Sequence, residues 1–217
     1  MKPCNISAVR IGLASDTFGN VEGLCCALEV FTREQADRIF FLGGRLGDLD
    51  AALARRRGGS RDAPVPETDR EFLAAVEGAL ARAAVAREDP LAARLVRVAS
   101  RACPEYGAGA EVKVMDLVEG RICCLVHDKA DLTRDDIGNA TILFHGNSGH
   151  PALVAIGPRA FVTPGHLRYP APEGRPATFG LAEVGPQEIA LTVYSAQGAE
   201  LRRERCPLPG GGKVAVR

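Results

Sequence analysis

Asp16 ends the apolar run from Ala8 to Ser15, and the four histidines, His127, His145, His150 and His166, all lie in the second half of the chain. A carboxylate at a strand end with imidazoles at later turns is a set that can bind a cation. With the thiol of Cys103 these side chains would suit a single zinc ion, since His and Cys are ligands that zinc takes. Surface or capping histidines are the plainer expectation. Cys123 and Cys124 stand near His127 and raise the question of a thiol nucleophile. Adjacent strand residues point to opposite faces, and a buried cysteine behaves as a small apolar residue, so packing is expected. Ser148, between His145 and His150, has no Gly-x-Ser-x-Gly turn around it to support acyl transfer. Neither Gly43-Gly44 nor Gly210-Gly211-Gly212 is followed by the Gly-Lys-Ser/Thr of a phosphate loop. Arg55-Arg56-Arg57 reads as a solvated loop.

These groups need elements to hold them. Ala8 to Ser15 predicts a buried strand. Asn20 is a good N-cap for a helix over 21–35, with Val21, Leu24, Cys25, Leu28 and Phe31 on one stripe. Asp37 to Gly43 predicts a second buried strand. Strand, helix and strand with short connections make a βαβ unit and a parallel sheet. Residues 45–67 read as polar loop. An amphipathic helix is predicted over 69–87, ending near Glu88 because Asp89 precedes Pro90. Strands follow over 95–99, 140–144, 153–156 and 159–163. Hairpins are predicted over 111–126, turning at Glu119-Gly120, and over 178–195. The expected organisation is one domain over 1–206 with a helical insertion at about 45–94 and a flexible tail over 207–217.

Composition narrows the function classes. Of 217 residues, 46% are hydrophobic and 25% charged, which suits a globular chain. Lys plus Arg is 27 and Asp plus Glu is 27, so no net charge draws the chain to nucleic acid or an anionic membrane. No apolar run approaches the ~20 residues of a membrane span, and the start has no signal core. A cytoplasmic location is expected. Seven cysteines, two pairs of them adjacent, with no Cys-x-x-Cys, suggest reduced thiols and not a disulfide framework or a cysteine-rich zinc module.

The order of these elements and their turns resembles the calcineurin-like metallophosphoesterase superfamily. The similar branch is that of the small bacterial phosphodiesterases and the retromer subunit that shares their fold. The resemblance runs from about Val9 to Ala196 and rests on Ile11-Gly12-Leu13-Ala14-Ser15-Asp16-Thr17-Phe18-Gly19-Asn20 and on Phe161-Val162-Thr163-Pro164-Gly165-His166-Leu167-Arg168. It implies an α/β/β/α sandwich of two mixed sheets flanked by helices. It also implies two metal ions, whose ligand motifs can be followed through this chain. In Asp-x-His, Asp16 is kept and Phe18 replaces the His. In Gly-Asp, Gly43 is kept and Gly44 replaces the bridging Asp. In Gly-Asn-x-Asp, Arg101 replaces the Asn and Cys103 the Asp. The lone His matches His127. In Gly-His-x-His, Asn147 and Gly149 replace both histidines. Asp48, in Leu46-Gly47-Asp48, also reads as Gly-Asp, but beyond the strand end.

A two-metal site sets dications ~3.5–4 Å apart and needs a shared carboxylate between them. Gly44 supplies none, and Phe18 has no lone pair. Arg101 adds a fixed charge. Two unit charges about 4 Å apart interact by about 4 kcal/mol at an effective dielectric near 20, and a dication would feel about twice that. Arg101 is therefore expected to pair with Asp16 in place of a metal. The expected function is a non-catalytic binding or scaffold protein without a cofactor, its partner a protein or a second copy of the chain. Two alternatives stand beside it. One is a phosphomonoester or phosphodiester hydrolase with a remodelled Mn, Zn or Fe site drawn from Asp16, Cys103, His127, His145, His150 and His166. The other is a metal-free binder of a phosphorylated small molecule through Arg101 and His127. Neither nucleic acid nor a membrane is an expected partner. The insertion over 58–88 has two readings, plain decoration, or cover for the pocket or a partner contact, and the second is slightly favoured.

Overall fold

The computed structural model describes residues 8–56, 91–103 and 111–209. The helix predicted over 69–87 lies outside them. The first strand, β1 (Val9–Ala14), leads into α1 (Val21–Arg33) and then β2 (Arg38–Leu42), as the apolar pattern predicts. Asn20 caps α1, its Oδ1 accepting from the Gly23 N–H at 2.9 Å. β2 pairs with β1 in parallel.

The reading of 45–67 as loop is corrected by α2 (Leu46–Arg56). Its buried residues are Asp48, Leu49, Ala52 and Leu53, so a polar side chain interrupts the apolar stripe. The sequence signal is weak because Asp48 turns inward for a reason other than apolar packing, given below. β3 (Leu95–Val98) adds beside β2. The hairpin of β4 (Lys113–Val118) and β5 (Arg121–Val126) turns at Glu119 and Gly120, both with positive φ. A short α3 (Arg134–Asn139), absent from the sequence reading, precedes β6 (Ile142–His145). Then come β7 (Pro151–Ile156), β8 (Arg159–Pro164), β9 (Thr178–Val184) and β10 (Glu188–Ser195). The last strand, β11 (Glu200–Pro207), is also unforeseen. It is an edge strand of charged residues held by ladder bonds to β10 and by ion pairs such as Arg205 to Glu188. Leu208 is buried beyond it, so the chain stays packed into the segment expected to be a tail.

Two mixed sheets result, in the orders β11-β10-β9-β1-β2-β3 and β4-β5-β6-β8-β7. Ile11, Leu13, Phe40, Leu125, Phe144 and Val162 are among the side chains that fill the layer between them. α1 and α2 cover the first sheet through Leu24, Leu28, Phe31, Leu49 and Leu53. Each such fully buried side chain contributes roughly 1.5–3 kcal/mol. The segment from Leu132 to Ala140, with α3, covers the middle of the second sheet over Cys124, Val126 and Leu143. This is the expected α/β/β/α sandwich. Parallel strands in both sheets direct their carboxyl ends to one end of the molecule, where open α/β sheets place ligands. Among the described residues, no helix is long and apolar enough to cross a membrane.

Candidate functional site

The carboxyl ends of β1, β2, β5 and β6 converge on Asp16. Its backbone is left-handed (φ 53°), and its N–H donates to Gly43 O at 2.9 Å, which aims the side chain inward. The carboxylate is 1% exposed. Its Oδ1 meets His127 Nε2 at 3.0 Å, and its Oδ2 accepts from the Asn147 N–H at 2.8 Å. Ser15 Oγ lies 2.7 Å from Oδ2 and 3.0 Å from Leu42 O, and donates to one of them at a time. Burial pushes this carboxyl up. The hydrogen bond and field of His127, with the bonds from Ser15 and Asn147, outweigh burial and hold it below the ordinary value.

Gly43 makes the Asp16–His127 contact feasible. A Cβ at Gly43 would lie 2.2 Å from His127 Cδ2, so the imidazole reaches Asp16 only past a bare backbone. Gly44 has φ 117°, and a Cβ there would stand 3.1 Å from the Thr17 backbone nitrogen. Gly44 itself offers no carboxylate, and its backbone conformation is one that L side chains rarely adopt.

The pairing of Arg101 with Asp16 is overturned. Arg101 Nε donates to Asp131 Oδ1 at 2.8 Å on the surface. The cation beside Asp16 is Arg168, with Nη2 3.7 Å from Oδ1 and Cζ 4.3 Å above the centre of the Phe18 ring. The cause lies in the backbone. The Leu167 N–H donates to Ser15 O at 3.0 Å, and Leu167 O accepts from Asn20 Nδ2 at 2.7 Å. Those bonds pin the turn after β8 against β1, so the next residue falls over Phe18. The sequence reading quoted Arg168 at the end of its late turn without giving it a role. Its place two residues after His166 was the available signal.

The other expected positions are distributed as follows. Asp48 Oδ2 accepts from Thr17 Oγ1 and from the Gly19 N–H, both at 2.7 Å, and braces the turn that carries Phe18. Asn147 Nδ2 donates to Asp128 Oδ2 at 2.6 Å. Gly149 is covered by the Arg175 side chain, whose Cδ would lie 3.0 Å from an added Cβ. Buried His145 donates through Nδ1 to Gly146 O at 3.0 Å, and burial lowers its pKa. His166 is 3% exposed; its Nδ1 accepts from the Arg168 N–H at 3.2 Å. Burial, then the charge of Arg168, lowers its pKa. Exposed His150 lines a separate cleft with Pro176 and Leu201. Cys103 is buried, with its N–H on Ser100 O at 3.0 Å. Cys123 and Cys124 are buried, and burial pushes their thiols up to about 12 and about 11, which suits packing and not nucleophilic attack.

Among the described residues, no group of three or more His, Cys, Asp or Glu side chains is placed to hold a metal ion. Asp16 and His127 bond to each other, and a guanidinium stands at the third side. The residues present therefore do not fit the dinuclear centre that the fold implies.

No protein-family model matches the chain, and no curated protein matches it by sequence. Its structure is similar to that of a predicted phosphoesterase from Streptococcus pneumoniae, at 14% identity over 93% of this chain and 99% of that one, with a TM-score of 0.59. It is similar to YfcE, a phosphoesterase from E. coli, at 19% identity over 90% and 98%, with a TM-score of 0.55. It is also similar to Vps29 from Chaetomium thermophilum, solved with a cyclic peptide, at 15% identity over 94% and 98%, with a TM-score of 0.52.

Proposed function

We propose that this chain, which has the calcineurin-like metallophosphoesterase fold, is a non-catalytic binding or scaffold protein. One observation carries the reading: the carboxylate and imidazole that would face a metal are bonded directly, at 3.0 Å. A metal ligand needs a free lone pair directed at the ion; here the Asp16 carboxylate gives its lone pair to the imidazole N–H, and the His127 nitrogen that faces it carries the proton. Arg168 supplies a positive charge beside Asp16. Loading the site would require breaking a buried pair and moving a cation. The peptide complex of the Vps29 neighbour supports a partner-binding use of this fold by analogy.

The test is metal analysis of the purified chain, with hydrolysis of bis-p-nitrophenyl phosphate in added manganese. The expected result is less than one equivalent of metal and no turnover above the His127→Ala variant. Two equivalents of metal with turnover lost in His127→Ala would establish a hydrolase instead.

A second reading has its own observation. The Arg168 guanidinium donates no hydrogen bond to any described residue, and Arg175 lies nearby against His166 and Gly149. Guanidiniums with donors to spare suit phosphate oxygens. A metal-free binder of a phosphorylated ligand would use these two arginines in place of the expected Arg101. Inorganic phosphate should then raise the melting temperature of the wild type but not of Arg168→Met.

A further inference from the structure

The outer face of the second sheet bears a row of exposed aliphatic side chains. Alternation along the β4–β5 hairpin sends Val114, Val118, Cys123 and Leu125 to the inter-sheet core and leaves Met115, Leu117 and Ile122 outside. On β7, Leu153 packs inward while Val154 and Ile156 are exposed. α3 is too short to cover these flanks, and its own Ile137 is exposed. Tyr169 and Leu201 apart, every exposed large apolar side chain among the described residues lies on this one face. Soluble chains rarely leave such side chains grouped without a use for them.

A cleft of about 310 Å³ opens where β5, β6 and β8 begin, lined by Arg121, Ile122, Thr141, Arg159 and Pro209 among others. This is the end of the strands opposite Asp16 and His127. Arg121 is 3% exposed, and its Nη2 donates to Pro186 O at 2.6 Å and Pro209 O at 3.0 Å. Its buried Nε has no hydrogen-bond partner. Arg159 donates through Nε to Ile137 O and through Nη2 to Gly138 O at 3.1 Å. Both guanidiniums thus rest on main-chain carbonyls, and neither is ion-paired with a described carboxylate. Buried cations are ordinarily paired, so a counter-charge is wanted here.

We propose that this cleft and the aliphatic row beside it dock an acidic, aliphatic segment of a protein partner. Its Leu, Ile or Val side chains would cover Leu117, Ile122 and Ile156, and its carboxylate would meet the Arg159 guanidinium at the mouth of the cleft, with the charge of buried Arg121 behind it. The charge selects this occupant over a second copy of the chain, because a copy would bring the same arginines, which face no described carboxylate, and not the counter-charge that they want. The inference deepens the binding reading and rests on it.

The experiment uses the full chain, labelled with nitrogen-15 and at methyl groups. It is titrated with the acetylated, amidated peptide Leu-Asp-Ile-Glu-Leu, with its Leu-Asn-Ile-Gln-Leu counterpart, and with hexanoate. The acidic peptide should shift the amides of Ile122, Thr141 and Arg159 with a Kd below about 1 mM. Those of Asp16 and His127 should stay in place. Variants at partly buried Arg159 (Arg159→Gln) and exposed Ile122 (Ile122→Ser) should each weaken binding about tenfold, and the Ile122 variant should do so with little change in melting temperature. The proposal is overturned by absence of shifts, by equal binding of the neutral peptide, by hexanoate binding as tightly, or by variants that bind unchanged. Self-association that buries Leu117, or nuclear Overhauser contacts from 58–88 to its methyls, would also overturn it by naming a different occupant. A failure here with no metal and no turnover removes this site and leaves the non-catalytic reading standing.

Discussion

Asp16 Oδ1 and His127 Nε2 lie 3.0 Å apart in the buried end of the sandwich, joined across 111 residues of chain. The bond couples the first sheet to the second. Removing the imidazole leaves a buried carboxylate with Ser15, Asn147 and a more distant Arg168. His127→Ala should cost about 3 kcal/mol. For a domain of this size that is a fall of roughly 6–12 °C in melting temperature, measurable by calorimetry. A variant that melts with the wild type would show that the pair carries no stability.

The same carboxylate sets an acid limb. Its folded pKa lies below the ordinary value of about 3.9. A depressed folded pKa adds stability that is complete above the unfolded pKa and is lost as pH falls through the folded one. Asp136, pushed down to about 2 by the Lys113 and Thr133 hydrogen bonds, acts in the same window. Urea midpoints should therefore fall below about pH 4 in the wild type, and less steeply in Asp16→Asn, which isolates the Asp16 part.

Placing a carboxylate at Gly44 should not create a metal site. At Gly44 an aspartate would have to adopt φ near 117° with its Cβ 3.1 Å from the Thr17 nitrogen. Gly44→Asp should destabilise by about 1–3 kcal/mol. The pair Phe18→His with Gly44→Asp should bind no stoichiometric manganese by titration calorimetry. Tight binding would mean that the backbone adapts.

Asp48 should behave as a structural brace. Its Oδ2 satisfies the buried Thr17 hydroxyl and the Gly19 N–H. Asp48→Ala should cost about 1–3 kcal/mol by denaturant titration and broaden the amide signals of residues 17–20. Intact signals in that turn would remove this role.

Cys123 and Cys124 should resist alkylation. With burial holding the thiols at about 12 and about 11, iodoacetamide at pH 8 should label neither in the native chain and both after unfolding. Peptide mapping by mass spectrometry distinguishes the two states.

Legibility followed how local the signal was. The βαβ unit could be read because Val9–Ala14 and Arg38–Leu42 are apolar runs flanking a helix with one apolar stripe and an Asn cap. The hairpin at Glu119-Gly120 could be read from its turn residues. α2 was obscured because Asp48 faces inward to bond Thr17 and Gly19, which breaks the apolar period. β11 was obscured because an edge strand needs no apolar alternation when its partner supplies the ladder.

The candidate site divides in the same way. Residue types alone raised the expectation that the dinuclear motif is incomplete and that Asp16 and His127 remain of it, since a missing lone pair is visible in a list of side chains. Which arginine stands beside Asp16 was decided only by tertiary structure. Arg101 and Arg168 carry the same charge, and chain order favours neither. Leu167, bonded to Ser15 and Asn20 from the far side of the chain, brings Arg168 over Phe18, while Arg101 finds Asp131. Charge is a property of a residue, but proximity comes from the backbone bonds that hold distant turns together.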